Sequence, residues 1–203
     1  MSVYVWMPVA YLLGSVPFGL VIARLFSGKN LRAEGSGNIG ATNVARTCGA
    51  GFGILALALD LLKGAAPTAL ALWAGGSALV VSLTAFAAVA GHVFPVYLGF
   101  KGGKAVATTI GVFLPIAAWP MLCSVGLCVA LIGGCGYVSV GSLGMAASLP
   151  IFVALFGRWE YLPLALAIAA LIVWRHKDNI NRLRQGEEKS WRKKGRQQES
   201  RGR

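Results

Sequence analysis

Three glycines and two lysines crowd residues 99–104, Gly99-Phe100-Lys101-Gly102-Gly103-Lys104, between long uncharged runs. Glycines lack a Cβ, so backbone N–H groups can converge on a phosphate, and the lysines add full positive charge where a following helix would begin. The chemistry expected of such a stretch is anion binding. It is not a Walker A loop. That motif needs G-x-x-x-x-G-K-[ST], whereas Gly99 lies one residue too close to Gly103-Lys104, Leu98 takes the required place, and Ala105 replaces the hydroxyl that would hold magnesium. The duller reading is a basic turn capping a membrane helix.

Two other polar segments share this character. Residues 27–50 carry Lys29, Arg32 and Arg46 around Gly35-Ser36-Gly37-Asn38-Ile39-Gly40-Ala41-Thr42-Asn43, and Arg175-His176 opens a segment with Asn179 and Arg182. Helical spacing puts Arg175, Asn179 and Arg182 on one face at i, i+4, i+7. Ser36 and Asn38 could equally cap a short loop helix.

The elements that must position these residues are membrane helices. With 56% hydrophobic and 13% charged residues and a mean hydropathy of +0.67, the chain has too little polar surface for a soluble domain. A net charge of +12 therefore concentrates in loops and tail, facing anionic lipid or an anionic substrate, and nucleic acid is not expected as a partner. The four cysteines form no C-x-x-C pair and read as free thiols. The first run is too long for a signal-peptide core and is expected to remain as a span.

Apolar runs at about 3–26, 51–74, 78–98, 105–118, 119–134, 138–156 and 161–174 predict an all-α, polytopic helix bundle, with Pro17 a kink point in the first. Asp60 and Lys63, three apart in the second run, read as an interior pair, because an unpaired charge would cost several kcal/mol in lipid. His92, at a helix end before Phe94-Pro95, reads as structural. The basic residues lie after the first, third and last runs. Seven spans place all three basic segments on the cytoplasmic side, with the N-terminus outside and the C-terminus inside; five spans are the alternative, if the short helices at 105–134 do not cross. One cytoplasmic-face site then becomes feasible.

At these three motifs the chain resembles the bacterial acyl-phosphate:glycerol-3-phosphate acyltransferases. The motifs are Gly35-Ser36-Gly37-Asn38-Ile39-Gly40-Ala41-Thr42-Asn43 with Arg46; Gly91-His92-Val93-Phe94-Pro95 through Lys101-Gly102-Gly103-Lys104; and Arg175-His176 with Asn179-Ile180, Arg182-Leu183 and Gly186-Glu187. Asp60-Leu61-Leu62-Lys63-Gly64 is similar to the family's second-helix signature. Ala105 stands where many members carry another glycine, and Ile39 where many carry proline.

The resemblance implies transfer of a fatty acyl group from acyl phosphate to the sn-1 hydroxyl of glycerol 3-phosphate, giving lysophosphatidic acid and phosphate in the first step of phospholipid synthesis. It implies a multi-pass protein of the bacterial plasma (inner) membrane with its active site facing the cytoplasm. By resemblance Ser36, Arg46, His176 and Asn179 are catalytic, the Gly102-Gly103-Lys104 loop binds the phosphate of glycerol 3-phosphate, and Glu187 is structural, as are Asp60 and Lys63. Asn38, Thr42, Asn43, Lys101, Arg175 and Arg182 are the further substrate-binding candidates, since two phosphorylated substrates need several cations to offset their repulsion. Residues 1–187 are expected to form one membrane-embedded domain, and 188–203 a basic, disordered cytoplasmic tail against anionic lipid. Trp174 and Trp191 fit interface anchoring.

Acyl phosphate is already activated, so direct attack by the hydroxyl is the preferred mechanism. His176 or a substrate phosphate oxygen would take the proton, and Ser36 would bond phosphate. A Ser36–His176 nucleophile pair is the alternative, though the sequence supplies no group to orient the histidine. No cofactor is implied, no metal-ligand constellation is present, and activity is expected to persist in chelator. The candidate protein partner is a soluble acyl-phosphate synthase. There is no H-x-x-x-x-D motif, since Tyr97 and Asn181 stand five residues after His92 and His176. The rival from another class is a transporter or exchanger of organic phosphates, which would call for two matching halves and midplane charges.

Overall fold

The computed structural model describes residues 3–192, and among these all regular elements are helical. In chain order they are α1 (Trp6–Ser15), α2 (Phe18–Ser27), α3 (Ala41–Cys48), α4 (Ala50–Trp73), α5 (Ala78–Val93), α6 (Val106–Phe113), α7 (Ala118–Cys135), α8 (Val138–Leu155), α9 (Leu162–Arg175) and α10 (Lys177–Arg184). The long ones are runs of Leu, Ala, Val and Ile whose side chains suit lipid and whose backbone groups are satisfied internally.

Five segments are long and apolar enough to cross a bilayer: α1 with α2, α4, α5 with the turn to Leu98, α7, and α8. The all-α membrane bundle is thus found. The remaining two expected spans are shorter than the sequence suggests. At 8 and 14 residues, α6 and α9 extend about 12 and 21 Å at 1.5 Å per residue, less than a hydrocarbon core about 30 Å thick.

Local chemistry explains where helices stop. The first run breaks instead of kinking: Val16 is extended at φ −63°, ψ 119°, as the residue before a proline prefers, and α2 restarts at Phe18. Residues 41–48, expected as part of a polar loop, form the short α3 under that loop. Packing is closest where side chains are smallest. A Cβ on Gly14 would stand 2.2 Å from the Ala88 carbonyl oxygen and one on Gly91 2.3 Å from that of Tyr11, so α1 and α5 meet backbone to backbone. Gly64 against Thr108 and Gly111 against Leu61 do the same for α4 and α6.

One end of this bundle collects the polar segments. Arg32 donates to the Lys101 carbonyl at 2.8 Å, Lys189 Nζ to the Gly35 carbonyl at 2.6 Å, and the Trp191 N–H to the Gly136 carbonyl at 2.8 Å. The loops after α2, α5 and α7 and the segment after α9 therefore lie together. The first five residues of the expected tail, 188–192, belong to this packing, and 193–203 lie outside the described residues.

Candidate active site

The Ser36 loop is folded around one side chain. Asn43, 1% exposed in the first turns of α3, donates from its amide nitrogen to the carbonyls of Leu31 (3.1 Å), Glu34 (3.1 Å) and Asn38 (2.8 Å), and its oxygen accepts the Ser36 N–H at 2.8 Å. Leu31 anchors the same loop in a small core with Leu20, Ile22 and Val44. Asn38 turns inward to accept the Gly40 N–H at 2.8 Å. The result presents Ser36 at the surface of the loop. Asn43 is a scaffold for that presentation, where a substrate contact was expected; its donors and acceptor are spent on backbone. Thr42 sits beside it at the start of α3, half-buried.

The Gly/Lys loop is fastened to the end of α5. The Gly102 N–H donates to the Val93 carbonyl and the Gly103 N–H to the His92 carbonyl, both at 3.1 Å, satisfying carbonyls that the helix end would leave orphaned. The expectation that these two N–H groups cradle phosphate is therefore corrected: they face α5. Their lack of side chains serves close approach, since a Cβ on Gly102 would lie 2.1 Å from the His92 carbonyl oxygen and one on Gly103 2.2 Å from His92 Nε2. What the loop offers to a ligand is Lys104. Ala105, in the left-handed region at φ 57°, then turns the chain into α6, which explains why glycine is the easier residue there. Lys101 is exposed, and its carbonyl receives Arg32.

The third segment closes over both loops. Arg175 donates to the Gly103 carbonyl at 3.1 Å and the Gly102 carbonyl at 2.9 Å and stacks over Trp174, so it braces the Gly/Lys loop. Asn179 accepts Lys104 Nζ on its side-chain oxygen and donates to Glu188 Oε1 at 2.6 Å, while Arg182 donates to Glu188 Oε2 at 2.8 Å. Gly186, at φ 72°, ends α10 with its own N–H on the Leu183 carbonyl and the Glu187 N–H on the Arg182 carbonyl. This reversal leaves the Glu187 side chain exposed and aims Glu188 back at the site. The acidic residue that engages the cluster is thus Glu188, one position beyond the expected Glu187; a glycine placed to end a helix is the signal that could have found it. Arg46 donates to the Lys189 carbonyl at 3.1 Å, joining α3 to the same strap.

His176 is 2% exposed, and its Nδ1 lies 2.8 Å from the Ile172 carbonyl. A carbonyl can only accept, so Nδ1 carries the proton and Nε2 keeps its lone pair. The orienting group that sequence could not supply is a backbone oxygen. Burial, with the neighbouring positive charge of Lys104, lowers the imidazole pKa to about 4, so the ring is neutral at physiological pH. Burial likewise lowers Lys104 to about 8, with Arg182 and Arg175 adding to the effect and Glu188 and Asp178 opposing it. Burial also lowers Arg46, partly countered by Glu188, without discharging it. For Glu188 burial works upward, but the bonds from Asn179 and Arg182 win and hold its carboxyl below the usual range.

Between the three segments lies a cavity of about 220 Å³. Ser36, Asn38, Gly102, Lys104, Arg175, Asn179 and Arg182 of the expected residues line it, joined by Gly37, Trp174, Lys177 and Asp178. Arg46, Thr42, Asn43, Lys101, Gly103 and His176 stand behind or beside that lining. Among the described residues no Ser36–His176 hydrogen bond forms, and Asp60 and Lys63, which are not part of the lining, pair at 2.8 Å within α4. Among the described residues there is also no group of three metal-ligating side chains.

The fold and site thus define a membrane helix bundle with a small cationic cavity at one end, suited to an anionic ligand. Residues 4–186 match the family model described as glycerol-3-phosphate acyltransferase, and the chain belongs to that family. It is 53% identical over 186 residues to the glycerol-3-phosphate acyltransferase of Desulfovibrio desulfuricans, covering 92% of this chain and 83% of that one. It is 51% identical over 194 residues to that of Nitratidesulfovibrio vulgaris, covering 96% of this chain but spanning only 59% of the relative's length. Among solved structures it is similar to the glycerol 3-phosphate form of PlsY (YgiH), an integral membrane glycerol 3-phosphate acyltransferase, with a TM-score of 0.90, 42% identity, and coverage of 94% of this chain and 96% of that one. The lysophosphatidic acid form of PlsY superposes with a TM-score of 0.86 at 40% identity, covering 94% and 95%. These likenesses decide against the organic-phosphate carrier.

Proposed function

We propose that the chain transfers a fatty acyl group from acyl phosphate to the sn-1 hydroxyl of glycerol 3-phosphate, releasing phosphate and lysophosphatidic acid. The observation that carries this reading is the convergence of Ser36, Lys104, Arg175, Asn179 and Arg182, from three distant segments, on one cavity. Its size suits a small polar substrate, leaving the acyl chain to lie among apolar helices. The cations offset the charge of two phosphates, and Ser36 donates to a phosphate oxygen. In the transfer the hydroxyl oxygen bonds to the acyl carbon, the bond from that carbon to the phosphate oxygen breaks, and phosphate departs with its electron pair.

The missing Ser36–His176 bond favours direct attack over an acyl-serine. Burial, with the charge of Lys104, lowers the imidazole pKa to about 4, so His176 is a weak base and a substrate phosphate oxygen is the preferred proton acceptor. His176 then supports the site from behind the lining, its ring held by the Ile172 carbonyl. Glu188 takes the structural role first expected of Glu187, holding Asn179 and Arg182 in place. Asn38, Thr42 and Lys101 remain substrate-side candidates.

In this reading the bundle crosses the bacterial inner membrane seven times, α6 and α9 included, with the N-terminus outside. Support comes from the shared end of the loops after α2, α5 and α7 and the segment after α9, which two crossings between each successive pair, α6 and α9 counted, would produce, and from the basic residues gathered there. A soluble acyl-phosphate synthase would deliver the donor at that cytoplasmic face. Residues 1–187 are one domain in this reading, to which 188–192 are strapped.

The test is phosphate release from acyl phosphate by the purified protein in micelles. Release is expected only with glycerol 3-phosphate present, and without labelled acyl adduct on Ser36 when acceptor is withheld. Lys104→Ala should raise KM for glycerol 3-phosphate about tenfold to hundredfold, the worth of a charge-assisted hydrogen bond. An unchanged KM removes that lysine from the pocket, and acceptor-independent release removes the reaction. Thiols engineered at the exposed positions 36, 101 and 177, one in each segment, should all be labelled from the cytoplasm.

A further inference from the structure

Beneath the Gly/Lys loop, polar side chains of three helices meet in the interior of the bundle. The Asp60–Lys63 pair of α4 is almost fully buried; Asp60 Oδ1 lies 3.8 Å from Nδ1 of His92, at the end of α5, and Thr108 Oγ1 of α6 lies 3.2 Å from the same nitrogen. None of them touches the cavity. Their outward connections nevertheless run to both of its walls.

Lys63 Nζ donates to the Val16 carbonyl at 2.8 Å and sits 5.8 Å above the Phe18 ring, so it clamps the break between α1 and α2. From that break α2 runs on with Gly19 packed against the Ile39 carbonyl, at the base of the Ser36 loop. On the other side, the His92 ring fills the space under Gly103 that a side chain would need, and its carbonyl accepts the Gly103 N–H. A shift of that ring must lift Gly103, and Lys104 with it.

We infer that Asp60 and Lys63 are positioning residues for the phosphate pocket: Lys63 sets the α1–α2 break that carries the Ser36 loop, and Asp60, through His92, sets the height of Lys104. This rests on the reading that Lys104 binds glycerol 3-phosphate. The competing explanation is that the pair only neutralises two charges in the membrane interior. The two differ in what happens when both charges go. Replacing a buried ion pair by uncharged residues of similar volume is often neutral or stabilising for a fold, so a purely structural pair predicts an intact enzyme.

The test is the double variant Asp60→Asn with Lys63→Met, measured beside wild type. The inference expects a melting temperature near that of wild type with a KM for glycerol 3-phosphate raised about tenfold and a smaller change in kcat. Wild-type KM in the folded double variant overturns it. A double-mutant cycle of Asp60→Asn with His92→Phe gives an independent reading from single substitutions. If Asp60 acts through His92, its substitution should add almost nothing to KM once the phenylalanine is present, and additive effects overturn the inference. Wild-type protein that fails to release phosphate would overturn the acyltransferase reading itself, which separates the two failures.

Discussion

In the 35–43 loop the backbone wraps around a single side chain, whereas in the 99–105 loop the backbone is fastened to another backbone. Asn43 gathers three carbonyls and one N–H at the first; Gly102 and Gly103 lend their N–H groups to α5 carbonyls at the second. Both loops are rich in glycine, and both would pass for a phosphate nest by composition. Neither is one at these atoms. The difference teaches that what these loops present to the cavity is side chains, Ser36 on one wall and Lys104 on the other, while the backbone fixes where they stand.

Breaking the side-chain hub should have the largest effect. Asn43→Ala strands several buried polar groups at about 1–3 kcal/mol each, so a loss of about 3 kcal/mol or more and at least hundredfold in activity is expected, read by thermal unfolding and phosphate release. Gly103→Ala attacks the backbone-fastened loop. Its methyl group meets the His92 ring, and a cost of about 1–3 kcal/mol with a raised KM for glycerol 3-phosphate is expected.

The pH profile sharpens the comparison, because the second wall carries the titrating group. Lys104 is charged below about 8 and neutral above it, so kcat/KM for glycerol 3-phosphate should fall as pH rises through about 8. Lys104→Arg, which stays charged, should move that limb upward. The smallest effect is a gain. Ala105→Gly relieves a left-handed φ of 57° and should stabilise the protein by about 1 kcal/mol with KM unchanged, measured as a modest rise in melting temperature.

Much of this arrangement was legible in the residues. The placement of lysine and arginine after the first, third and last apolar runs foretold that Ser36, Lys104 and Asn179 share one end, because such residues avoid lipid. Helix existence was legible for the same reason, while the ends of α6 and α9 were not: an apolar residue reads alike whether it lies in a helix or in the turn beside it. The role of Asn43 escaped, since an asparagine in a polar loop looks the same whether its amide meets substrate or backbone. Glu187 and Glu188 were indistinguishable until the Gly186 reversal showed which one turns back. The loop glycines suggested exposed N–H groups, and only the α5 carbonyls reveal the alternative.

Residues 188–192 tie the Ser36 loop, the helix bearing Asn179 and the α7–α8 turn together, and among the described residues they follow all ten α-helices. A ribosome delivers them only after those ten helices have been made. In the proposed reading the third wall of the cavity is therefore complete only once this ribbon folds back across those helices.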